Sequence, residues 1–275
     1  MREKIKTVFV GDVAFNTDIT PEKTKTSLGG AAYYSAVGAI AAQNRESLLH
    51  TSGIVAPIGS DFDLQKIASK NIDIQGVEVL PDGKTCHFIL TQYADNTRDF
   101  KAERGVAEKV QTNIFPDQYQ DAKYVHLATS LPQNYLIWID FLSHTTSATI
   151  SADAFESFAK EFPLETIEAL NRVGMIFLND EEANILERKG TLRTDVPWVL
   201  KHGGCGASYL ADGKEISVKA KKVSAIETTG AGDTLPGAFL TLLSANYEIE
   251  QALKIAVDIA SKSITDFGVE HLAKN

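Results

Sequence analysis

The stretch Thr228-Thr-Gly-Ala-Gly-Asp-Thr-Leu-Pro-Gly-Ala-Phe-Leu240 places two glycines and an acid directly before an apolar helical pattern. Pro236 lacks an N–H and is best tolerated in a first turn, so the pattern predicts a helix that begins near Gly232. Apolar side chains then recur with the spacing of one helical face, at Leu235, Ala238, Phe239, Leu242 and Leu243.

The residues before this helix predict an anion site. The main-chain amides of Gly230, Ala231 and Gly232 would be unpaired at a helix N-terminus, where anions bind. Asp233 would repel a resting anion, which indicates a base acting where negative charge develops. The combination favours phosphoryl transfer. The alternative is a plain glycine turn in which Asp233 only stabilises the first helical turn.

Composition limits the classes of function. The chain has 275 residues, 44% of them hydrophobic, which is enough for a large core. A net charge of −9 without a Lys/Arg block argues against a nucleic-acid partner. The longest run of small apolar residues, 31–42, is too short to cross a membrane. Cys86 and Cys205 show no metal-ligand spacing, and the N-terminus has no signal-peptide pattern, so we expect a reduced, cytoplasmic protein.

Short apolar runs alternate with helical patterns along the chain. This alternation predicts an α/β fold with a doubly wound, mostly parallel sheet flanked by helices, and ligands beyond the carboxyl ends of the strands. The runs typical of strands buried on both faces are 7–10, 124–127, 174–178 and 198–200. The helical patterns cover about 30–43, 133–143, 164–171 and 180–187.

Two segments depart from this alternation. Residues 18–28 are polar and rich in threonine, and residues 84–100 predict two strands joined by a polar turn. In the first of these strands Cys86, Phe88 and Leu90 lie on one face. They alternate with Thr85, His87 and Ile89 on the other face. Together the two segments predict a small sheet that projects from the main domain.

Other polar motifs follow predicted strands. Asp12 and Asp18 could accept hydrogen bonds from a diol, or only end a strand and start a turn. Asn179-Asp-Glu-Glu182 predicts a capping box at the start of a helix. Lys201-His-Gly-Gly-Cys-Gly206 offers a glycine-rich loop for a nucleotide, with Lys201 offsetting phosphate charge, or is a simple turn between strands. P-loop and dinucleotide fingerprints do not occur.

The run from Thr228 to Leu240 resembles the signature of the ribokinase-like sugar kinases, the phosphofructokinase B family. The Gly29-Gly30 pair, the Asn179–Glu182 motif and the glycine-rich loop after Lys201 are similar to further family motifs, in family order. The resemblance implies one ribokinase-like domain over 1–275. It also implies a discontinuous β lid from about 17–28 and 84–104, and the use of ATP with Mg²⁺.

The resemblance also implies roles for individual residues. Asp233 is the general base, and Gly230, Ala231 and Gly232 form the anion hole. Glu182 helps to hold Mg²⁺. The substrate-binding residues implied are Asp12, Asn16, Gly29, Gly30, Tyr34 and Arg98. The residues implied to bind ATP are Asn179, Lys201, Gly203, Gly206, Thr229, Ala256 and Ile259.

Three positions depart from the family pattern. Asn16 stands at the usual sugar-binding aspartate, and Tyr34 stands where many members have an asparagine. Glu227 replaces an aspartate that often frames a monovalent-cation site, which leaves K⁺ activation open.

The predicted function is ATP-dependent transfer of the γ-phosphoryl group to a hydroxyl of a small sugar or polyol. A nucleoside or inositol kinase and a catalytically weak nucleotide- or sugar-binding protein are the alternatives. The expected partners are a small polyhydroxylated substrate, with no nucleic acid and no membrane, and the expected assembly is a monomer or a homodimer.

Overall fold

Two β-sheets and the helices around them make up the fold. The computed structural model describes residues 4–68, 70–93, 97–109 and 111–273. Its strands are β1 Ile5–Val10, β2 Ala14–Ile19, β3 Thr24–Gly29, β4 Thr51–Gly59, β5 Ile72–Leu80, β6 Cys86–Gln92, β7 Arg98–Glu103, β8 Tyr124–Leu127, β9 Thr149–Asp153, β10 Met175–Asn179, β11 Trp198–Lys201, β12 Gly206–Ala211 and β13 Lys214–Lys219. The helices are α1 Ala31–Glu46, α2 Gln65–Ala68, α3 Pro132–Thr145, α4 Glu156–Glu161, α5 Pro163–Leu170, α6 Asp180–Glu187, α7 Ala231–Ser244 and α8 Ile249–Ser263.

The larger sheet is mostly parallel, as the sequence predicted. Its order is β13-β12-β11-β10-β9-β8-β1-β4-β5. Every neighbouring pair from β5 to β11 is parallel, whereas β12 and β13 are antiparallel to their neighbours. The carboxyl ends of β1, β9, β10 and β11 therefore meet at one edge, and residues that follow these strands lie close together there.

Side chains alternate between the two faces of this sheet, and each face has its own core. Val8 and Val10 of β1 pack with α3, α5 and α6. Phe9, which points to the opposite face, packs with α1. Farther along that face Phe177 of β10 packs with α7 and α8 through Phe239 and Leu253. The helices thus cover both faces, which confirms the predicted fold class.

A smaller four-stranded sheet has the order β3-β2-β6-β7. β2 pairs antiparallel with β3 and parallel with β6, and β6 pairs antiparallel with β7. β6 and β7 match the two strands expected between residues 84 and 100. The lid limits and the single domain over 1–275 stay predictions. Within the described ranges, each helix is too short or too polar to cross a bilayer.

Helix α7 begins one residue before the predicted start. Thr234 N–H donates to the Gly230 carbonyl at 2.8 Å, which closes the first turn at Ala231. Pro236 is therefore the sixth helical residue and lies in the second turn rather than the first. The proline removes the bond that its amide would donate to the Gly232 carbonyl.

Candidate active site

The N-terminus of α7 presents a row of open amides. Gly230 precedes the helix with φ 81°, and a Cβ there would lie 2.7 Å from the Tyr34 ring, so only glycine fits. Within the described chain, no acceptor receives the N–H of Gly230, Ala231 or Gly232, and Gly232 is exposed. These are the amides that the sequence predicted as an anion hole, and they are free to bind an anion.

Close contact between α1 and α7 sets the position of Asp233. A Cβ on Gly38 would collide with the Thr234 carbonyl, and a Cβ on Gly237 would collide with the Ser35 carbonyl. Ser35 Oγ donates to the Asp233 carbonyl oxygen at 2.9 Å. The two glycines let the helix backbones approach, and the serine fixes the first turn of α7 against α1.

The Asp233 carboxyl group is less acidic than its sequence context suggests. Burial raises the pKa of Asp233 to about 7; the charge of Asp153 adds to this effect, and the Lys201 ammonium opposes it. A carboxylate with a pKa near neutrality is a stronger base than an ordinary aspartate. An aspartate in water has a pKa of about 3.9 and is fully ionised at neutral pH.

A cavity of about 480 Å³ opens in front of Asp233. It is lined by several of the predicted substrate residues, namely Asp12, Asn16, Asp18, Gly30 and Tyr34, and by Thr229. Asp12 Oδ1 accepts the Ala31 N–H at 2.9 Å, so this side chain also holds the start of α1. Burial raises the pKa of Asp12 above its usual range.

Asn16 and Tyr34 form one hydrogen-bonded pair in this cavity. Asn16 Nδ2 donates to the Tyr34 hydroxyl at 2.5 Å. The Asn16 Oδ1 atom is buried and has no partner among the described residues. Each of the two side chains is the hydrogen-bond partner of the other. The two departures from the family pattern therefore compensate each other.

The glycine pair before α1 has a packing role. Gly30 has φ 97°, and a Cβ there would collide with the Asp12 main chain. A Cβ on Gly29 would collide with the Asn16 carboxamide. The cavity wall at Gly30 therefore depends on the absence of a side chain.

The rest of the cavity is largely apolar. Phe88 of β6 stacks on Phe100 of β7, with ring centroids 6.0 Å apart and an interplanar angle of 17°. Polar and charged residues also line it, among them Arg104, Glu108, Lys109, Gln111 and Asn134. The buried Gln111 Oε1 has no partner among the described residues. The larger apolar lining residues include Cys86, Phe88, Leu90, Phe100, Leu131, Trp138, Phe155 and Phe158.

A charged cluster lies at the carboxyl ends of β9, β10 and β11. Lys201 Nζ is 2.6 Å from each carboxylate oxygen of Asp153. Asn179 and Glu182 form a capping box: Asn179 Oδ1 accepts the Glu182 N–H at 2.8 Å, and Glu182 Oε2 accepts the Asn179 N–H at 2.7 Å. Burial raises the pKa of Glu182, and the Lys201 charge opposes the shift.

Residues 5–274 match the family described as pfkB family carbohydrate kinase. The chain belongs to this family. It is 26% identical over 282 residues to the cytidine kinase of Thermococcus kodakarensis, covering 95% of this chain and 96% of that protein. It is 24% identical over 262 residues to the ATP-dependent ribose-1-phosphate kinase of Halopiger xanaduensis, covering 89% of this chain and 86% of that protein.

A solved nucleoside kinase of Burkholderia thailandensis in complex with inosine has the same fold. Its TM-score is 0.80 over 98% of this chain and 94% of that chain, at 17% identity. Membership of the pfkB family makes the chain a phosphotransferase with a hydroxyl acceptor, of the sugar or nucleoside kinase type.

Kinases of the pfkB family use ATP with Mg²⁺. Mg²⁺ takes one or two carboxylates together with water and phosphate oxygens. Glu182 fits this need, because Oε2 holds the capping box while Oε1 receives no hydrogen bond from the described residues. Within those residues, no group of three or more His, Cys, Asp or Glu side chains is placed to hold a metal without such additional ligands.

The predicted nucleotide loop lies beside the start of α6. His202 Nδ1 is 2.7 Å from Asp180 Oδ1, which ties the loop to that helix. Gly203 has φ 54° with open space around it, and Gly206 has φ 117°. These conformations explain the glycines at both positions.

Two of the predicted ATP-binding residues, Ala256 and Ile259, lie in the protein core. Ala256 is fully buried and Ile259 is 3% exposed, and both pack in the core between α7 and α8. Their contact with ATP stays a prediction. The Arg98 side chain lies outside the described residues.

Sequence reasoning missed Asp153. The available signal was an acid at the end of an apolar run, Ile150-Ser-Ala-Asp153, of the same kind as Asp12 after β1.

Proposed function

We propose that this protein is an ATP-dependent nucleoside kinase with Asp233 as its general base. One observation carries the choice of acceptor: the cavity that begins at Asp233 combines a polar floor with largely apolar walls. A ribose would occupy the floor at Asp12 and Asn16. A nucleobase would lie against the aromatic side chains of the smaller sheet, which a free sugar would leave uncovered.

The chemistry needs few groups. Asp233 accepts the proton of the acceptor hydroxyl as that oxygen forms a bond to the γ-phosphorus and the bond from phosphorus to the ADP oxygen breaks. The amides of Gly230, Ala231 and Gly232 stabilise the charge on the phosphoryl oxygens. Asn179 and Glu182 would hold Mg²⁺, which neutralises charge on the phosphates when bound.

Two further observations support a nucleoside. The Gln111 side chain lines the cavity, and its carboxamide would bond to a base edge. The relative from Thermococcus kodakarensis carries the name cytidine kinase and aligns along nearly the whole chain. A simple sugar remains the second candidate, since Asp12 and Asn16 would serve either acceptor.

A coupled ADP-release assay over nucleosides, free sugars and inositols tests this proposal. We expect the highest kcat/KM for a nucleoside. A free sugar or inositol that matches or exceeds every nucleoside would overturn the choice of acceptor. Tight binding of a ligand without ADP release would favour the binding-protein alternative.

The variant Phe88→Ala tests the position of the base. It should raise the KM of the preferred nucleoside roughly tenfold, as expected for loss of an aromatic stack of about 1–1.5 kcal/mol, and leave the KM of ATP unchanged. Leu164→Ala on α5 is the control, because Leu164 is 65% exposed and distant from the cavity lining. An unchanged nucleoside KM in Phe88→Ala would place the base elsewhere.

A further inference from the structure

A buried ion pair bridges the strand ends next to α7. Asp153 ends β9 and Lys201 ends β11, on either side of β10. Both carboxylate oxygens of Asp153 are 2.6 Å from Lys201 Nζ. The Asp153 side chain is 1% exposed and the Lys201 side chain 12% exposed. Lys201 therefore has little conformational freedom, and its ammonium is held in one place.

That place is the N-terminus of α7. Outside the neighbouring residues of α7, Lys201 Nζ is the heavy atom nearest to where a Cβ on Gly232 would lie, at 3.7 Å. The ammonium therefore lies beside Gly232 at the N-terminus of α7, where the amides are open. An ammonium group has three N–H donors, and the two oxygens of Asp153 engage two of them. One donor remains for an anion that binds at these amides.

Stability alone gives no reason for this pair. Burying two opposite charges costs desolvation energy that their attraction often fails to recover, so such pairs contribute little net stability. The pair also lies among further acids, since the charges of Glu182 and Asp233 act on Lys201. Burial lowers the pKa of Lys201, but Asp153 and Glu182 raise it by more, so the ammonium stays protonated.

We propose that Asp153 is a positioning residue, which holds the Lys201 ammonium beside Gly232 so that the lysine contacts the phosphoryl group during transfer. The inference rests on the proposed function and adds a cationic member to the amide anion hole. Lys201 keeps its proton throughout and forms no covalent bond. Asp153 touches neither substrate nor phosphate and acts only through Lys201.

A double-mutant cycle tests the dependence of Asp153 on Lys201. Lys201→Met should lower kcat by about 10²-fold, the typical cost of one lost donor to a developing anion. Asp153→Asn should lower kcat about tenfold, because the ammonium is no longer held. The double variant should be no slower than Lys201→Met. If the losses in kcat of the two single variants multiply in the double variant, Asp153 acts independently of Lys201, for example on Mg²⁺. That result would overturn the proposal.

A binding measurement separates this proposal from the identity of the acceptor. Calorimetry with Mg²⁺ would compare ADP with the β,γ-imido analogue of ATP, for the wild type and each variant. Lys201→Met should weaken the analogue about tenfold more than ADP, and Lys201→Arg should retain most of the preference. An equal loss of affinity for both nucleotides, or an unchanged affinity for both, would overturn the contact between Lys201 and the phosphoryl group. A kinase assay without turnover would count against the proposed function and leave this comparison intact.

Folding controls accompany both measurements. Asp153→Asn leaves a buried lysine without its counter-ion, which destabilises a protein, so its melting temperature and ADP affinity show whether it is folded. Lys221→Met is the matched control. Lys221 Nζ also pairs with an aspartate at 2.6 Å, Asp258, but the Lys221 side chain is 73% exposed. This variant should match the wild type in kcat and in nucleotide preference.

Discussion

At the scale of single residues, the surroundings of Asp233 decide how it works as a base. Its carboxyl group lies among Asp12, Asp153, Glu182 and Lys201, and only the lysine favours ionisation. Burial and the three acids disfavour the charged form. The protein thereby produces a base suited to neutral pH from a residue that is normally a weak one.

The raised pKa of Asp233 predicts a pH dependence. The base must be ionised to accept a proton, so activity is present above the pKa and is lost as the pH falls through about 7. We expect kcat/KM to fall about tenfold per pH unit below that point. Initial rates at saturating ATP and low acceptor concentration measure this. A flat profile from about pH 5 to pH 7 would show that Asp233 is not the titrating base.

The variant Asp233→Asn tests the same residue directly. The amide keeps the shape of the side chain but cannot take the proton, so kcat should fall by at least ~10²-fold while ATP affinity is nearly unchanged. Steady-state kinetics and calorimetry provide the two values. Asp121→Asn serves as control, since the Asp121 side chain is 79% exposed in a surface ion pair. Normal turnover in Asp233→Asn would remove this residue from the mechanism.

At the scale of elements, the packing of α1 against α7 joins the acceptor pocket to the anion hole. α1 carries Tyr34, whose ring lies against Gly230, and α7 carries Asp233. Gly38 and Gly237 allow the two backbones to touch. A change in the distance between these helices would move the base relative to the acceptor, and misplacement by about 1 Å can cost 10²-fold in rate.

The variant Gly237→Ala tests this contact. Its Cβ would collide with the Ser35 carbonyl, so the helices must separate. We expect the free energy of unfolding to fall by about 1–3 kcal/mol, as in overpacked cores, and kcat to fall with it. Urea denaturation measures the first effect. Gly204→Ala is the control for stability, because a Cβ there meets no atom within 4 Å. Equal stability of the two variants would refute close packing.

At the scale of the whole molecule, the cavity lies between the two sheets. Its lining combines Asp12 and Asp233 beside the larger sheet with Phe88 and Phe100 of the smaller one. An acceptor bound there would contact both sheets, so binding energy would stabilise the two parts against separation as well as against unfolding.

Acceptor binding should therefore raise thermal stability. A nucleoside present at 100 times its dissociation constant should stabilise the native state by about 2.7 kcal/mol. Calorimetric melting measures the shift, and free ribose at the same concentration is the comparison. We also expect slower amide exchange in β6 and β7 with the nucleoside bound. Protection that is confined to the larger sheet would contradict contact with the smaller one.

Local pattern determined much of this protein. The parallel strands β1, β8, β10 and β11, the helices α1, α3, α5 and α6, and the start of α7 to within one residue were all predicted from spacing and turn residues. These features depend on neighbours a few positions apart, which a sequence displays directly. The strands β4, β5, β12 and β13 gave weaker signals, and β9 with its terminal Asp153 went unnoticed.

The electrostatics of the site depend instead on which strands are neighbours. Asp153 and Lys201 are 48 positions apart and meet because β9 and β11 both flank β10. Asn16 of β2 and Tyr34 of α1 are 18 positions apart and meet through a hydrogen bond. The raised pKa of Asp233 follows from burial beside those charges. Motifs show which groups the chain carries, but their distances and solvation arise only when the sheet order brings them together, because Coulomb and desolvation energies depend on separation in space.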